Sequence, residues 1–410
     1  MPGKASGPLA GIKVIELAHI MAGPACGMLL ADLGANVIKV EKFPNGDDSR
    51  RMVPPQVDGE SAAYMILNRN KRGTAINLKS EAGRAILRRM LATADVVLEN
   101  FRPGTMEKLG LGYDTLCAAN PGLIYCQLTG FGTTGPYADR AGFDLIGQGM
   151  SGLMSLTGEG PGRPPVKIGV PITDMSAGIL GAVAILAAYV HRLKTGQGQK
   201  VETSLLEAGI LHTAWQSAIF FATGSSPGPL GTAHPLAAPY QAIQTADGWI
   251  NIGAANQANW LRLIEVIGAA DLNNDQRFAD NAGRMQNLPA LIEILTTHLR
   301  QHTTAEWLAR FEATGVPAGP VFSIGEMLND PHVRARNMVV EVEHAKLGKT
   351  RTLGTPIKFS ATPTAVTRGA PVLGQHTVEL LREYDYSDAE IALLAASGDV
   401  VIAEQMPDLS

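Results

Sequence analysis

Apolar and polar positions follow two periods along the first half of the chain. Ile12–Leu17 is a short apolar run, Gly23-Pro24 opens a stretch with helical spacing that continues to Leu33, and Ala35–Val40 is a second β-type run. Together they predict a strand, helix, strand unit. The theme recurs: Glu81–Ala94 has helical spacing and leads into Asp95-Val96-Val97-Leu98, and Leu123–Leu128 reads as another buried strand. Such alternation predicts an α/β fold, a parallel sheet covered by helices. A long apolar helix is expected over Met175–Leu193, stopped at Gly196-Gln197-Gly198 and followed by a strand over Lys200–Leu205.

Leu206–Ala222 reads as helical, and the Gly/Ser/Pro-rich stretch Thr223–Pro235 reads as a linker. Beyond it, Tyr240–Thr245 and Trp249–Ile252 flank Ala246-Asp247-Gly248, a hairpin signature. Helical patterns follow at Gln257–Ile267, Leu288–Arg300 and Ala305–Ala313, which makes a small α+β unit. Gly315-Val316-Pro317-Ala318-Gly319-Pro320 reads as a second crossover, and a last helix is expected near His376–Tyr384. The expected division is a large domain over residues 1–222, a small α+β domain over 223–320, and a C-terminal return to the large domain over 321–410.

With 45% hydrophobic and 18% charged residues, the chain has the composition of a soluble globular protein. A formal charge of −4 with scattered Lys and Arg offers no basic face for nucleic acid. Cys26, Cys117 and Cys126 show no metal-ligand or disulfide spacing, so they read as buried free thiols in a reducing compartment. Met1–Leu9 has no apolar run of the secretory type, and Met175–Val190 falls short of a membrane span and reads as a buried helix. The expected location is the cytoplasm, with no membrane partner.

Ligands of open parallel sheets sit at the carboxyl ends of the strands. Three loops there stand out: His19–Gly23, Glu99–Gly104 and Thr129–Pro136. The turn Ala22–Gly27 is not GxGxxG and no P-loop lysine follows it, which argues against a dinucleotide redox cofactor. Asp174, just ahead of the long helix, is either a helix cap or a carboxylate nucleophile, and a helix N-terminus suits both because it favours the ionised form. His19 is either satisfied by backbone or in contact with a ligand. Arg50, Arg51, Arg69, Lys71 and Arg72 lie in two short segments that are either solvated surface or anion contacts.

Pro8–Leu17, Ala22-Gly23-Pro24, Asp32–Glu41, Asn68-Arg69-Asn70-Lys71-Arg72, Glu99-Asn100-Phe101-Arg102-Pro103-Gly104, Thr129-Gly130-Phe131-Gly132 and Leu373-Gly374-Gln375-His376-Thr377 occur in this order. In these motifs the chain resembles the class III CoA-transferases, the CaiB/BaiF or formyl-CoA transferase family. The resemblance implies an enzyme with a Rossmann-like large domain, a smaller domain reached by two linkers, and an interlocked homodimer. It implies coenzyme A or an acyl-CoA as substrate, with no metal and no redox cofactor. It makes Asp174 the nucleophile, forming an aspartyl mixed anhydride and then an aspartyl-CoA thioester.

By the same resemblance the CoA contacts fall on His19, Ala22, Lys42, Asn77, Leu78, Lys79, Asn100, Phe101, Arg102 and Lys108. The lysines are the candidates for phosphates, Gly130, Phe131 and Gly132 are counted among the CoA contacts, and the glycine-rich turn Gly130–Gly135 is suited to donating N–H groups to oxyanions. Met21 stands where formyl-CoA transferases carry glutamine, and their glycine-rich lid is missing before Tyr240. The middle region is more similar to the subgroup that uses succinyl-CoA and dicarboxylates. A second carboxylate would then need a cation or amide, with Arg50, Arg51, Arg72, His234 and Tyr240 as candidates. Two alternatives stand beside this reading. An acyl-CoA racemase of the same superfamily would need a proton-transferring histidine where this chain has Phe143. A non-catalytic acyl-CoA binder would share the contacts and not need Asp174.

Overall fold

Val14, Val37, Val96 and Ile124 fall in one buried apolar cluster, and their neighbours Ile15, Ile38, Val97 and Tyr125 fall in another. Successive strand residues point to opposite faces, so strands apolar at both positions require cover on both sides. The computed structural model describes residues 7–403; the opening residues 1–6, read above for a secretory signal, and residues 404–410 lie outside them. The chain runs through β1 (Lys13–Glu16), β2 (Asn36–Lys42), a small hairpin of β3 (Gln56–Val57) and β4 (Glu60–Ser61), β5 (Arg72–Ile76), β6 (Val96–Glu99), β7 (Ile124–Thr129) and β8 (Lys200–Ser204). Then come β9 (Tyr240–Gln244), β10 (Trp249–Gly253), β11 (Ala318–Pro320), β12 (Val339–His344), β13 (Gly348–Leu353) and β14 (Val400–Val401).

By compactness the chain divides into two units, one of Met1–Leu153, Lys167–Phe221 and Pro331–Ser410, the other of Met154–Val166 and Ala222–Asp330. In the first unit, seven strands form one sheet in the order β14-β5-β2-β1-β6-β7-β8. All neighbours are parallel except β14, which runs antiparallel to β5. From β1 the sheet grows to β2 and β5 on one side, then to β6, β7 and β8 on the other. Strand order therefore reverses between β1 and β6, where open α/β sheets leave a crevice at their carboxyl edge.

One face of the sheet is covered by the helices Ala22–Asp32 and Ile172–Thr195, the other by Glu81–Leu91 and Thr377–Glu383. The first two helices meet at Gly178, where an added methyl group would lie 2.7 Å from the Ala22 carbonyl oxygen and 2.9 Å from the Ala25 Cβ. Glycine is thus what lets the long helix, which carries Asp174, sit this close to the first helix. The long helix is buried on one side only, through Ala177, Gly181, Ile185 and Ala188 among others, whereas Ile179, Val183, Val190 and Leu193 are exposed. This corrects the expectation of a wholly buried helix, because a segment apolar all round gives no sign of which side packs. Among the described residues it is also the one helix long and apolar enough to cross a membrane.

The basic cluster before β5 was expected either at the solvated surface or on an anion. Lys71 is fully buried, and Arg69 and Arg72 nearly so, each beside a carboxylate of the fold. Leu206–Ala222 is broken into two helices, Leu205–Leu211 and Ala214–Thr223. In the second unit, β9 and β10 form the antiparallel hairpin predicted around Ala246-Asp247-Gly248. Helices Gln257–Val266, Leu288–Leu299 and Thr304–Thr314 supply Trp260, Leu263, Leu291, Leu295, Trp307 and Phe311 to its core. Within the expected crossover Gly315–Pro320, residues Ala318–Pro320 instead form β11, the third strand beside β10. A proline is tolerated there because the strand is at an edge.

Candidate active site

A cavity of about 240 Å³ opens at the carboxyl ends of β1, β6 and β7, at the reversal of strand order. His19, Ile20, Met21 and Ala22 line it from the loop after β1, Asn100, Phe101 and Arg102 from the loop after β6, and Gly130 from the end of β7. Asp174, from the first turn of the long helix, and Arg140 and Phe143 complete the wall.

Two loops are tied to each other by Asn100. Its Oδ1 accepts the His19 backbone N–H at 2.8 Å and its Nδ2 donates to the His19 carbonyl at 2.9 Å. The His19 ring lies 5.4 Å from that of Phe101, and its buried Nδ1 has no hydrogen-bond partner among the described residues. It is therefore the main chain of His19, and not its ring, that the backbone reading accounts for. Burial, and then the Lys39 ammonium, push the imidazole below its usual pKa, so it is neutral at pH 7.

Ile20 adopts φ 65°, a left-handed conformation that a β-branched residue rarely takes and that costs about 1–3 kcal/mol. The strain is held by Asp47, whose two carboxylate oxygens accept the Ile20 N–H at 3.0 and 3.2 Å. Burial alone would raise the Asp47 pKa, but the Lys39 ammonium 2.8 Å away and the Ser49 N–H keep it well below the carboxylate range. A fixed anion thus anchors the turn that shapes one wall of the cavity.

Pro171 occupies the cap position of the long helix, and Asp174 makes no side-chain hydrogen bond that caps it. The cap is supplied from elsewhere: Asp144 Oδ1 accepts the Thr173 N–H at 2.9 Å and its hydroxyl at 2.8 Å, and Asp144 Oδ2 accepts from Gln148 Nε2 at 2.7 Å. The cap reading of Asp174 is thereby overturned. So is the expectation that the helix end favours its ionised form: burial, and then the Asp144 carboxylate, push Asp174 up to about 7. Asp144 was missed in the sequence because its partner lies 29 residues away. Chemistry that needs the Asp174 carboxylate is expected to rise with pH through about 7 and level off above it. In Asp144→Asn the inflection of the kcat/KM profile should move to lower pH, because a like charge is gone.

The family model described as CoA-transferase family III matches residues 9–377. The chain belongs to that family. It is 42% identical over 384 residues to the succinate–glutarate CoA-transferase of Agrobacterium fabrum, covering 92% of this chain and 96% of that one. It is 37% identical to the Homo sapiens succinyl-CoA:glutarate CoA-transferase, covering 96% and 90% of the two chains. The crystal structure of a CaiB/BaiF family protein from Brucella suis matches with a TM-score of 0.84 at 41% identity, over 93% of this chain and 100% of that one. The protein is a CoA-transferase, an enzyme whose substrates are CoA thioesters.

In this CoA-transferase, seven residues singled out in the sequence meet at the cavity: His19, Ala22, Asn100, Phe101, Arg102, Gly130 and Asp174. Gly130 passes so close to Gly142 that a methyl group on it would lie 2.6 Å from the Gly142 Cα, which fixes the segment carrying Arg140 and Phe143 against the end of β7. Phe131 packs its ring against Tyr137, and the Gly132 N–H donates to the Thr129 hydroxyl oxygen at 2.8 Å. Lys42, Lys79 and Lys108 are exposed, Lys42 pairing with Asp48 at 2.6 Å. Asn77 donates to the Gly398 carbonyl at 3.2 Å, and Leu78 packs on the core. Because the strands are parallel, Lys42 at the end of β2 and Asn77–Lys79 after β5 share the carboxyl edge of the sheet with the cavity.

The cations expected to hold a second carboxylate are placed otherwise. Arg50 grips Glu41 with two bonds of 2.7 Å, Arg51 is paired with Asp48, and Arg72 donates to Glu379 and Glu383 at 2.6 Å each. None of the three lines the cavity. A guanidinium already saturated by carboxylates of the fold is a poor receptor for another. His234 and Tyr240 belong to the second unit, where their rings meet edge to face at 5.1 Å and Tyr240 lines a cleft with Thr232, Asn251 and Pro317. Among the described residues, no cluster of three or more His, Cys, Asp or Glu is placed to hold a metal ion.

Proposed function

We propose that this CoA-transferase moves CoA from succinyl-CoA to a small dicarboxylic acid, with Asp174 as the covalent carrier. The observation that carries the reading is a carboxylate with a pKa of about 7 in the wall of a cavity at the sheet's strand-order reversal. A carboxylate stripped of water is a stronger nucleophile than a hydrated one, and about half of it is ionised at neutral pH. The names of the Agrobacterium and human relatives support succinyl-CoA as donor and a dicarboxylate as acceptor.

In the first step an Asp174 oxygen attacks the thioester carbonyl, the C–S bond breaks, and CoA leaves as thiolate. The thiolate then attacks the aspartyl carbonyl of the mixed anhydride, releasing succinate and leaving an aspartyl-CoA thioester. The acceptor carboxylate attacks that thioester and again expels CoA thiolate, which attacks the acceptor's acyl carbon and restores the Asp174 carboxylate. No proton is gained or lost over the cycle. Asn100, Phe101 and Arg102 beside the cavity, with Lys42 and Asn77–Lys79 along the same edge, are the groups to hold CoA so that its sulfur stays near Asp174.

A second copy of the chain belongs to the same reading. The long helix exposes Ile179, Val183, Val190 and Leu193, and the following helices expose Leu211, Trp215 and Phe221, large apolar side chains of the kind that a protein–protein contact removes from water. An interlocked homodimer working in the cytoplasm would cover them. Racemization is disfavoured because Phe143, 66% exposed and lining the cavity, has no proton to transfer.

The experiment is incubation with succinyl-CoA and a panel of dicarboxylates and monocarboxylates, followed by mass spectrometry of the acyl-CoA pool. New acyl-CoA species formed from dicarboxylates are the expected result. Epimerization of a chiral acyl-CoA, or CoA retention without transfer, would replace the reading by the racemase or the binder.

A further inference from the structure

If succinyl-CoA and a dicarboxylate are the substrates, each brings a free carboxylate into the cavity that holds Asp174. That carboxylate loses water there and needs a cation within the same wall. The cationic side chains lining the cavity are Arg102 and Arg140, since His19 is held neutral by its surroundings. Among the described residues neither arginine is paired with a carboxylate. Arg50, Arg69 and Arg72 are all committed to acids of the fold.

The two free arginines differ in how they are held. Arg102 follows the Asn100–His19 clasp, on the loop after β6 that the reading above gives to CoA. Arg140 stands on the segment between Gly130's close neighbour Gly142 and the turn at Tyr137. Its guanidinium carbon lies 4.1 Å from the Tyr137 ring centre, and its backbone N–H donates to the Tyr137 carbonyl at 2.9 Å. Stacking on an aromatic face fixes the plane of a guanidinium and leaves its N–H edge available for a two-point contact with a carboxylate. Four residues on, Asp144 bonds to Thr173, the neighbour of Asp174. The segment carrying Arg140 is therefore tied to the start of the helix that carries the nucleophile, and Phe143 gives an apolar wall beside it for a methylene chain.

From this placement we infer that Arg140 is the specificity-determining residue that holds the free carboxylate of the acyl group, on donor and acceptor alike. The inference rests on the function proposed above and adds to it the residue that separates a dicarboxylate from a monocarboxylate.

The test compares succinyl-CoA with butyryl-CoA, which replaces the free carboxylate by a methyl group. The readout is the rate at which each forms the covalent CoA adduct on the full-length protein, followed by mass spectrometry. The wild type should react at least about 10-fold faster with succinyl-CoA, and Arg140→Ala should cut that preference to within about 2-fold by slowing succinyl-CoA. Arg140→Lys, which keeps the charge without the fork, should recover part of it, while Arg102→Ala should slow both thioesters alike. Arg140 is exposed, and an unchanged melting curve for Arg140→Ala separates loss of recognition from loss of fold. An Arg140→Ala protein that keeps its preference, one that slows both thioesters equally, or a wild type with no preference, overturns the inference. A wild type that forms no adduct from either thioester takes down the Asp174 mechanism itself, and this inference with it.

Discussion

Asp174→Ala is expected to lower the rate of CoA transfer by at least about four orders of magnitude, because no other group in the cavity can carry the acyl and CoA moieties in turn. The His19 imidazole has no carboxyl carbon on which CoA could form a thioester, Arg102 and Arg140 are cations, and among the described residues Asp174 is the one carboxylate in the lining. The variant should still bind CoA, since the groups proposed for that task lie on other loops, so isothermal titration with free CoA would show little change. Stability moves the other way. The folded pKa of Asp174 is raised above its ordinary value of 3.8 to about 7, so its protonated form stabilises the fold at low pH, and that contribution is lost as pH rises from about 4 through 7. Asp174→Asn, which keeps the shape and cannot ionise, should therefore gain on the wild type in urea denaturation between pH 5 and pH 8. A variant that transfers CoA at an appreciable rate would dismiss Asp174 as the carrier.

Glu16→Gln is expected to cost about 3–5 kcal/mol of stability, the usual effect of stranding a buried charge. Glu16 Oε1 accepts from both Lys39 and Lys71 at 3.0 Å, Oε2 lies 2.8 Å from Lys71, and all three side chains are fully buried. Lys39 keeps Asp47 at 2.8 Å, but Lys71 is left with the Pro24 carbonyl and the Asn68 amide oxygen. Burial, only partly offset by Glu16, already draws the Lys71 pKa down to about 8. Above that pH the folded wild type also releases the Lys71 proton, so the difference between the two proteins should narrow from pH 7 to pH 9.5 in chemical denaturation. Lys42→Ala, which removes a surface partner of Asp48, should change stability by less than about 1 kcal/mol. Equal losses for the two substitutions would mean that the buried cluster is no more costly to break than a surface pair.

The parts of the fold set by local pattern were legible in the sequence. β1, the first helix and β2 announce themselves by a change of period, and the long helix by its glycine stop at Gly196, which takes φ 75°. Asp174 was identified by the motifs around the chain rather than by its own position, where it looked like a cap; the true cap, Asp144, comes from outside the helix. β5 was hidden because its strand begins at Arg72 and follows a basic cluster, and only the carboxylates of Asp32, Glu16, Glu379 and Glu383, scattered along the chain, make burial of those charges possible. β11 was hidden by its glycine and proline, which read as a turn until β10 supplies a partner. Arg140 carried no signal, since an arginine stacked on a tyrosine three residues earlier is indistinguishable by sequence from one in solvent.

The strand that closes the sheet has its own bearing on how the protein is made. β14 pairs with β5 through Val400↔Ile76 and Val401↔Ala75, so the edge of β5 stays open until β14 has been made. About 320 residues separate the two, and at a ribosomal rate of roughly 5–20 residues per second the nascent chain carries an unpaired edge for about 16–65 seconds. During that interval the β5 edge is a template on which another strand can pair, and a truncation before Val400 would make that exposure permanent.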